Sequence, residues 1–179
     1  MFQQQVFINQ GFGVPGELWS DAPHRAFTYV LDSDVPTNNV FGRAFCLKQN
    51  SDVPLSIQVG QPGTRPYVGI LVDPKSHVSF GSGGNPLAPS LSLPNGTSAQ
   101  CLTMGQIVVA LATNCLAGDE VIFENATGIL SALAPGSALP PGHSLAYANV
   151  MYPNSVGSNR LTVISVNVPA NVPTIGNVG

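Results

Sequence analysis

The serine in Gly142-His143-Ser144-Leu145-Ala146 has the surroundings that most suggest catalysis. The run is similar to a Gly-x-Ser-x-Gly nucleophile elbow, in which a sharp strand-to-helix turn exposes the serine above a parallel sheet. However, Pro140-Pro141-Gly142 stands where the strand is required, and residues 149–153 are β-branched and proline-containing where a helix is required. We therefore expect Ser144 to begin a strand after a turn. A helix over residues 145–153 would instead favour a small serine hydrolase.

Other residues with catalytic or ligand chemistry are too few or wrongly spaced to form a site. In a strand Glu120 and Glu124 share a face while Asp119 lies in a turn, an arrangement typical of solvated charges. None of the three histidines stands near a cysteine at zinc-binding spacing. The glycine-rich run 81–84 lacks the lysine of a phosphate-binding loop. The sequence thus predicts a protein that is not an enzyme, with no catalytic, cofactor-binding or metal-binding residues.

The chain carries few charges: six basic and nine acidic residues in 179, which is 8% of the chain, with a net charge of −3. Average soluble domains carry roughly 25% charged residues. A surface of small polar and apolar side chains is easier to desolvate than one of lysine and glutamate, so this composition indicates a protein whose surface becomes covered. The six basic residues are scattered, and we expect no direct binding to nucleic acid.

Residues 1–6 lack the basic and apolar regions of a signal peptide, and no apolar run approaches the ~20 residues of a membrane-spanning helix. No membrane association is expected. The three cysteines, Cys46, Cys101 and Cys115, are odd in number and widely spaced. They predict small buried side chains in a protein that folds in a reducing cytoplasm.

Short strand-like runs dominate the chain, because glycine or proline interrupts nearly every window long enough for three helical turns. The pattern predicts an all-β single domain, an antiparallel β-sandwich or a barrel-like fold, with little helix. The two weak helix candidates are residues 17–20 and residues 22–31, where Pro23 stands at a suitable first position. The predicted strands cover residues 6–9, 40–47, 55–59, 67–72, 77–80, 98–103, 106–112, 120–124, 128–133, 144–150 and 160–166.

Both ends of the chain are predicted to be extended arms around a central domain. Residues 1–25 are an extended N-terminal strand and arm, residues 26–167 the β-domain, and residues 168–179 a proline-containing C-terminal tail. Glycine and proline leave residues 10–19 unable to satisfy their own backbone in a sheet, and the prolines of the tail lack donors. Apolar side chains on such segments gain stability by lying across another surface.

Several short runs follow one another in the order of a known family. They are an opening strand over residues 2–9, then Gly13-Val14-Pro15-Gly16-Glu17, Asp21-Ala22-Pro23-His24-Arg25-Ala26, Phe41-Gly42-Arg43-Ala44-Phe45, and the later glycine-bounded runs at residues 93–96, 104–109 and 117–121. This order resembles the structural cement proteins of tailed bacteriophages, which decorate the phage head. The chain departs from the pattern at His24, which separates the proline from the arginine, at Cys46, and in the extension 168–179.

The resemblance implies a viral structural protein without catalytic residues, made in the host cytoplasm and located on the capsid exterior of the virion. Its implied partner is the major capsid protein, whose neighbouring copies it would bridge and so cement against internal DNA pressure. Exposed strand edges and apolar arms also indicate self-association as a trimer or dimer. The alternative is a glycan- or receptor-binding β-module of a phage or bacterial surface, whose aromatic residues should gather in one exposed cleft.

The candidate partner contacts are large apolar side chains of the two arms and two arginines. Trp19 would be an interface hot spot or would seal its own core. Arg25 and Arg43 would pair with capsid carboxylates or hold Asp21 or Asp32 within the chain. The full set is Phe2, Val6, Phe12, Val14, Trp19, Arg25, Arg43, Val172 and Ile175.

Overall fold

The structure is a computed structural model that describes residues 13–20, 23–49, 51–60, 66–74, 92–153 and 161–169. Within these ranges it contains no α-helix and a single short 3-10 turn, Pro36–Asn38. The all-β prediction is therefore confirmed. The nine strands are β1 (Arg25–Leu31), β2 (Ala44–Leu47), β3 (Ser56–Val59), β4 (Tyr67–Val72), β5 (Ser98–Ala110), β6 (Glu120–Glu124), β7 (Leu130–Leu133), β8 (His143–Tyr152) and β9 (Leu161–Asn167).

Five strands close into a barrel, which we call the first barrel. They pair in the order β1-β3-β2-β4-β5, and β1 also pairs with β5, so that the sheet returns to its starting strand. The contact between β1 and β3 is parallel and short, whereas the other four pairings are antiparallel. Closure leaves these strands fewer open edges.

The second barrel shares β5 with the first. Its strands pair in the order β5-β9-β8-β6-β7. Just beyond β5, Leu111 forms a parallel bridge with Leu130 of β7, and the amide of Ala112 donates to the Leu130 carbonyl at 2.8 Å. The ring of strands is thus joined back to β5, and one long strand holds the two barrels together.

β5 changes neighbours at Met104 and Gly105. It pairs with β1 up to Met104 and with β9 from Met104 onwards. Gly105 has a φ of +135°, and a Cβ there would stand 2.8 Å from the Cβ of His24. Only glycine combines this backbone conformation with so close a neighbour, which explains its place at the junction.

Each barrel has its own apolar core, and β5 contributes to both. Cys101 belongs to the core inside the first barrel, while the next residue, Leu102, belongs to the larger core between the barrels and inside the second. Cys46 and Cys101 are fully buried, and burial raises the pKa of the Cys101 thiol far above its usual range. Both are small core residues, as predicted, whereas Cys115 is only partly buried and packs against the larger core.

Most strand predictions agree with the structure, but the helix candidates are wrong. Residues 25–31 form β1, because Phe27, Tyr29 and Leu31 alternate with exposed or smaller residues at the period of a strand. Residues 17–20 lie along β5, as described below. The predicted runs 98–103 and 106–112 form one strand, and the run 40–47 forms a strand only from Ala44. The predicted strands 6–9 and 77–80 lie outside the described residues.

Candidate functional site

The N-terminal segment that precedes β1 is attached to β5 by main-chain hydrogen bonds. Val108 accepts a bond from the Gly16 amide at 2.8 Å and donates one to the Glu17 carbonyl at 2.8 Å, and the Trp19 amide donates to Gln106 at 3.0 Å. The expectation that this backbone cannot satisfy itself in a sheet is therefore wrong for residues 16–19. Glycine and proline here stop a regular strand but do not prevent an antiparallel bridge.

This attachment holds Trp19 at the surface. Its side chain is 39% exposed, and its ring lies 6.2 Å from the ring of Tyr152, which is 49% exposed, with the two planes inclined at 50°. The neighbouring Leu18 instead packs against the core of the second barrel. Trp19 thus belongs to an exposed pair of rings, which we call the aromatic patch, and to neither of the two cores.

Arg25 stabilises the exit of the C-terminal tail from the domain. Its Nε donates to the Thr103 hydroxyl at 2.9 Å, and its Nη2 donates to the Val168 carbonyl at 3.3 Å. The Thr103 hydroxyl in turn donates to the Arg25 carbonyl at 3.0 Å. The hypothesis that Arg25 or Arg43 holds Asp32 is wrong. The Lys48 Nζ lies 3.1 Å from the Asp32 carboxylate and pairs with it instead. Asp32 follows the last residue of β1, whereas Arg25 is the first residue of that strand.

Arg43 joins the two barrels. Its Nη1 donates to the Asn38 side chain at 2.8 Å and to the Thr127 carbonyl, in the turn before β7, at 3.2 Å. Burial lowers the pKa of the Arg43 guanidinium, while the Glu124 carboxylate opposes that shift. A half-buried arginine that bonds to groups on both barrels has a structural role, whatever it contributes to a partner. Asp21, the other carboxylate considered for the arginines, lies outside the described residues.

The remaining predicted contacts fall on the two arms. Val14 is 39% exposed beside the attached segment. Phe2, Val6, Phe12, Val172 and Ile175 lie outside the described residues. Val168, the first residue of the predicted tail, is only 5% exposed and packs in the core of the second barrel, and its amide donates to Thr103 at 2.7 Å.

The serine that suggested catalysis lies within a strand. Residues 143–152 form β8, and no helix follows Ser144, so the strand-to-helix turn of a nucleophile elbow is missing at this position. The Ser144 hydroxyl donates to the Asn125 side chain at 2.7 Å. Among the residues that the structure describes, no group of three His, Cys, Asp or Glu side chains is placed to hold a metal ion.

Sequence reasoning missed Tyr152 and Thr103, and it assigned Val168 to an extended arm although its side chain is buried in the core. Each acts through a partner distant in the chain, as Tyr152 does with Trp19 and Thr103 with Arg25. Nothing local in the sequence pairs them. Tyr152 lies two residues beyond the predicted strand 144–150, and its aromatic character is the one signal that the sequence offers.

Comparisons with known proteins identify a family for this sequence and similar folds for this structure. Residues 2–167 match the family described as structural cement protein (E217 gp24/Pam3 gp6). The fold is similar to a chain in the capsid of Myoviridae phage XM1, with 16% identity, a TM-score of 0.58, and coverage of 93% of this chain and 97% of that one. A weaker likeness, with a TM-score of 0.42 and 13% identity, links 81% of this chain to 95% of the head fiber gp8.5 N base of bacteriophage phi29.

No curated protein matches the sequence. In the described part of the chain, no helix is long and apolar enough to cross a membrane. The family match spans nearly the whole chain, including both barrels and the attached N-terminal segment. The chain belongs to the family of phage structural cement proteins, whose role is to stabilise the capsid.

Proposed function

We propose that this protein binds the exterior of a phage capsid and bridges neighbouring major capsid proteins, with the aromatic patch of Trp19 and Tyr152 as its anchoring contact. The exposure of these two rings is the observation that supports the proposal most strongly. Tryptophan and tyrosine are the residues most enriched among interface hot spots. Full burial of a large apolar side chain contributes about 1.5–3 kcal/mol before ordering costs, and each ring has part of that still to gain.

The attachment of the patch favours binding without large rearrangement. Trp19 is positioned by the main-chain bonds of residues 16–19 to β5, so little backbone entropy remains to be lost on docking. The scarcity of charge lowers the cost of desolvating the surrounding surface. On the particle, many copies act together, so each contact can be modest while the assembly is stable.

The flanking arms supply further proposed contacts. On the N-terminal side of the aromatic patch, the proposed contacts are Phe2, Val6, Phe12 and Val14. On the C-terminal side, beyond Val168, they are Val172 and Ile175. Arg25, an exposed residue, would also face capsid carboxylates, and Arg43 would act chiefly by holding the barrels in position. We also propose self-association as a dimer or trimer, and synthesis in the host cytoplasm before docking.

Binding to heads that lack the protein tests the anchoring contact. Purified Trp19→Ala, Tyr152→Ala and unaltered protein are mixed with such heads, and the bound fraction is measured after sedimentation. Loss of a hot-spot ring is expected to cost about 2 kcal/mol, or roughly 30-fold in affinity per site. Leu139→Ala, which removes an exposed apolar side chain elsewhere, is the matched control and should bind normally. Equal binding by all four proteins would overturn the assignment of the patch.

Ser144→Ala provides the control for the enzyme alternative. It removes only the hydroxyl that bonds Asn125 and should leave head binding unchanged. A hydrolytic activity of the unaltered protein that disappears in this variant would contradict a purely structural role.

A further inference from the structure

The second barrel carries a groove on its outer surface, over strands β6, β8 and β9. The groove has a volume of about 470 Å³, which lies within the range of roughly 300–1,000 Å³ that is usual for binding sites. We call it the outer groove. Among the residues that line it are Glu120, Leu145, Tyr147, Asn149, Ser165 and Asn167.

Strand pairing brings four polar residues into one row across this outer face. Asn149 of β8 lies opposite Glu120 of β6 on one side and opposite Ser165 of β9 on the other. Ser165 in turn lies opposite Gln106 of β5. Residues that lie opposite each other project their side chains to the same face of a sheet. The adjacent residues on the four strands belong to the larger core: Val121, Ala148, Ile164 and Ile107. Since neighbouring strands lie about 4.8 Å apart, the row spans about 14 Å.

The polar side chains of the groove can offer hydrogen bonds to a partner. The hydrogen bonds and ion pairs between described residues do not involve the side chains of Glu120, Asn149, Ser165 and Asn167. Each asparagine amide provides both donors and an acceptor. Strands β6, β8 and β9 each have a neighbouring strand on both sides, so their main chains cannot pair with a further strand. A partner must therefore bind here through side chains.

The charge of the groove selects the kind of partner. Among the described residues that line it, Glu120 is the one with a charge, and none of the described arginines and lysines lines it. A carboxylate without a cationic neighbour repels phosphate and carboxylate groups and attracts a lysine or arginine side chain. The groove therefore fits a basic segment and disfavours an acidic one.

Gln106 connects the outer groove to the aromatic patch. The Trp19 amide donates to the Gln106 carbonyl at 3.0 Å, and the Ser20 hydroxyl donates to the Gln106 side-chain oxygen at 3.2 Å. Tyr152, the other ring of the patch, ends β8 three residues after Asn149. The row of polar side chains thus leads from the two exposed rings to the groove, and a partner seated on the rings can continue along it.

We propose that the outer groove binds an extended segment of the capsid protein, and that a lysine or arginine of this segment pairs with Glu120. The inference rests on the capsid binding proposed above and adds the chemistry of the partner. An extended segment presents an N–H and a C=O at nearly every residue, which match the donors and acceptors of Asn149 and Asn167. The aliphatic stem of the basic side chain can pack on Leu145, which is 41% exposed.

A series of charge changes in the groove tests the sign of the partner's charge. Glu120→Gln, Asn149→Lys, Asn149→Asp and unaltered protein are mixed with heads that lack the protein, and binding is measured by sedimentation at low and at high salt. We expect Glu120→Gln and Asn149→Lys to bind about threefold to tenfold more weakly and Asn149→Asp to bind more tightly, with smaller differences at high salt. Asp52→Asn removes a negative charge from the loop between β2 and β3, and this matched control should bind normally.

The other outcomes separate this inference from the aromatic patch. Tighter binding by Asn149→Lys would assign an acidic partner, and equal binding by the whole series would exclude the groove from the contact; either result overturns the inference. Sedimentation velocity of the free proteins adds a third outcome, because self-association that follows the charge series would assign the groove to a second copy. In these three cases, weaker binding by Trp19→Ala would still support the patch. Absence of head binding by the unaltered protein would overturn both proposals.

Discussion

The entry of the N-terminal segment and the exit of the C-terminal tail look alike in sequence but are fixed to the domain by different forces. At the entry, main-chain hydrogen bonds to β5 hold residues 16–19 and leave Trp19 exposed. At the exit, the buried side chain of Val168 and the bonds of Arg25 hold the chain. A segment held by main-chain hydrogen bonds keeps its side chains available to a partner, whereas a side chain that is buried in the core cannot contact one. The entry is therefore the better placed of the two for docking.

The largest effect is expected from Gly16→Ala, which disrupts the entry. Gly16 has a φ of +90°, and a Cβ there would lie 2.8 Å from the Phe41 Cβ and 3.2 Å from the Leu71 carbonyl oxygen. Backbone strain and overpacking together should lower the free energy of unfolding by about 3 kcal/mol, measured by urea denaturation. Gly96→Ala is the matched control, because its φ is +82° but its surroundings are open. It should cost about 1 kcal/mol, and equal losses would show that the contact at Gly16 is unimportant.

The exit is probed by Val168→Ala. Removing part of a side chain that is 5% exposed should lower the free energy of unfolding by about 1.5–2.5 kcal/mol. Val14→Ala makes the same change at a 39% exposed position of the entry and should cost less than about 0.5 kcal/mol. If both variants unfold at the same urea concentration, the contrast between the two ends is wrong.

The contribution of Arg25 to the exit can be isolated with a double-mutant cycle. Arg25→Ala and Thr103→Val each remove one partner of the 2.9 Å bond, and the pair is compared with the two single variants. We expect a coupling free energy of about 0.5–1.5 kcal/mol in thermal or urea unfolding. Additive effects would mean that Arg25 does not stabilise the exit through Thr103.

The smallest effect is a pH dependence at the other end of β1, remote from the exit. Hydrogen bonds from Lys48 and Ser51 lower the pKa of the Asp32 carboxyl below its usual value. The carboxylate therefore contributes stability above the unfolded-state pKa of about 3.9, and that contribution is lost as the pH falls through the lower folded-state pKa. Asp32→Asn should flatten the unfolding profile slightly over this acidic range, because the pair is partly solvated. An unchanged acid profile would contradict the assignment.

Local sequence patterns predict the strands well where an apolar run is bounded on both sides by turn residues. The bounds of Tyr67–Val72 and Glu120–Glu124 match the predicted runs 67–72 and 120–124, because apolar β-branched residues there are bracketed by turn residues. Pro23 suits a helix start and favours a helix over residues 22–31, but the alternation of Phe27, Tyr29 and Leu31 and the pairing of residues 25–30 with β5 outweigh that signal.

The closure of the two barrels and the pairing of rings in the aromatic patch depend on contacts between residues far apart in the chain, which no local sequence pattern predicts. Two closed barrels follow from the pairing of β1 with β5 and from the bridge between Leu111 and Leu130. Trp19 was identified from its residue type, yet its partner Tyr152 comes from the far end of the chain. The composition of the sequence indicates a surface that becomes covered. Only the pairing of strands in the folded protein shows which apolar side chains remain exposed on it.

Thermal release of DNA from particles tests the capsid-stabilising account most directly. Heads without the protein are compared with heads saturated by unaltered protein, by the double variant Trp19→Ala with Tyr152→Ala, or by Leu139→Ala. We expect release at the highest temperature with the unaltered protein and the Leu139→Ala control, and at a temperature close to that of bare heads with the double variant. Equal release temperatures for bare and saturated heads would contradict the stabilising role, and full protection by the double variant would contradict the aromatic patch as its anchor.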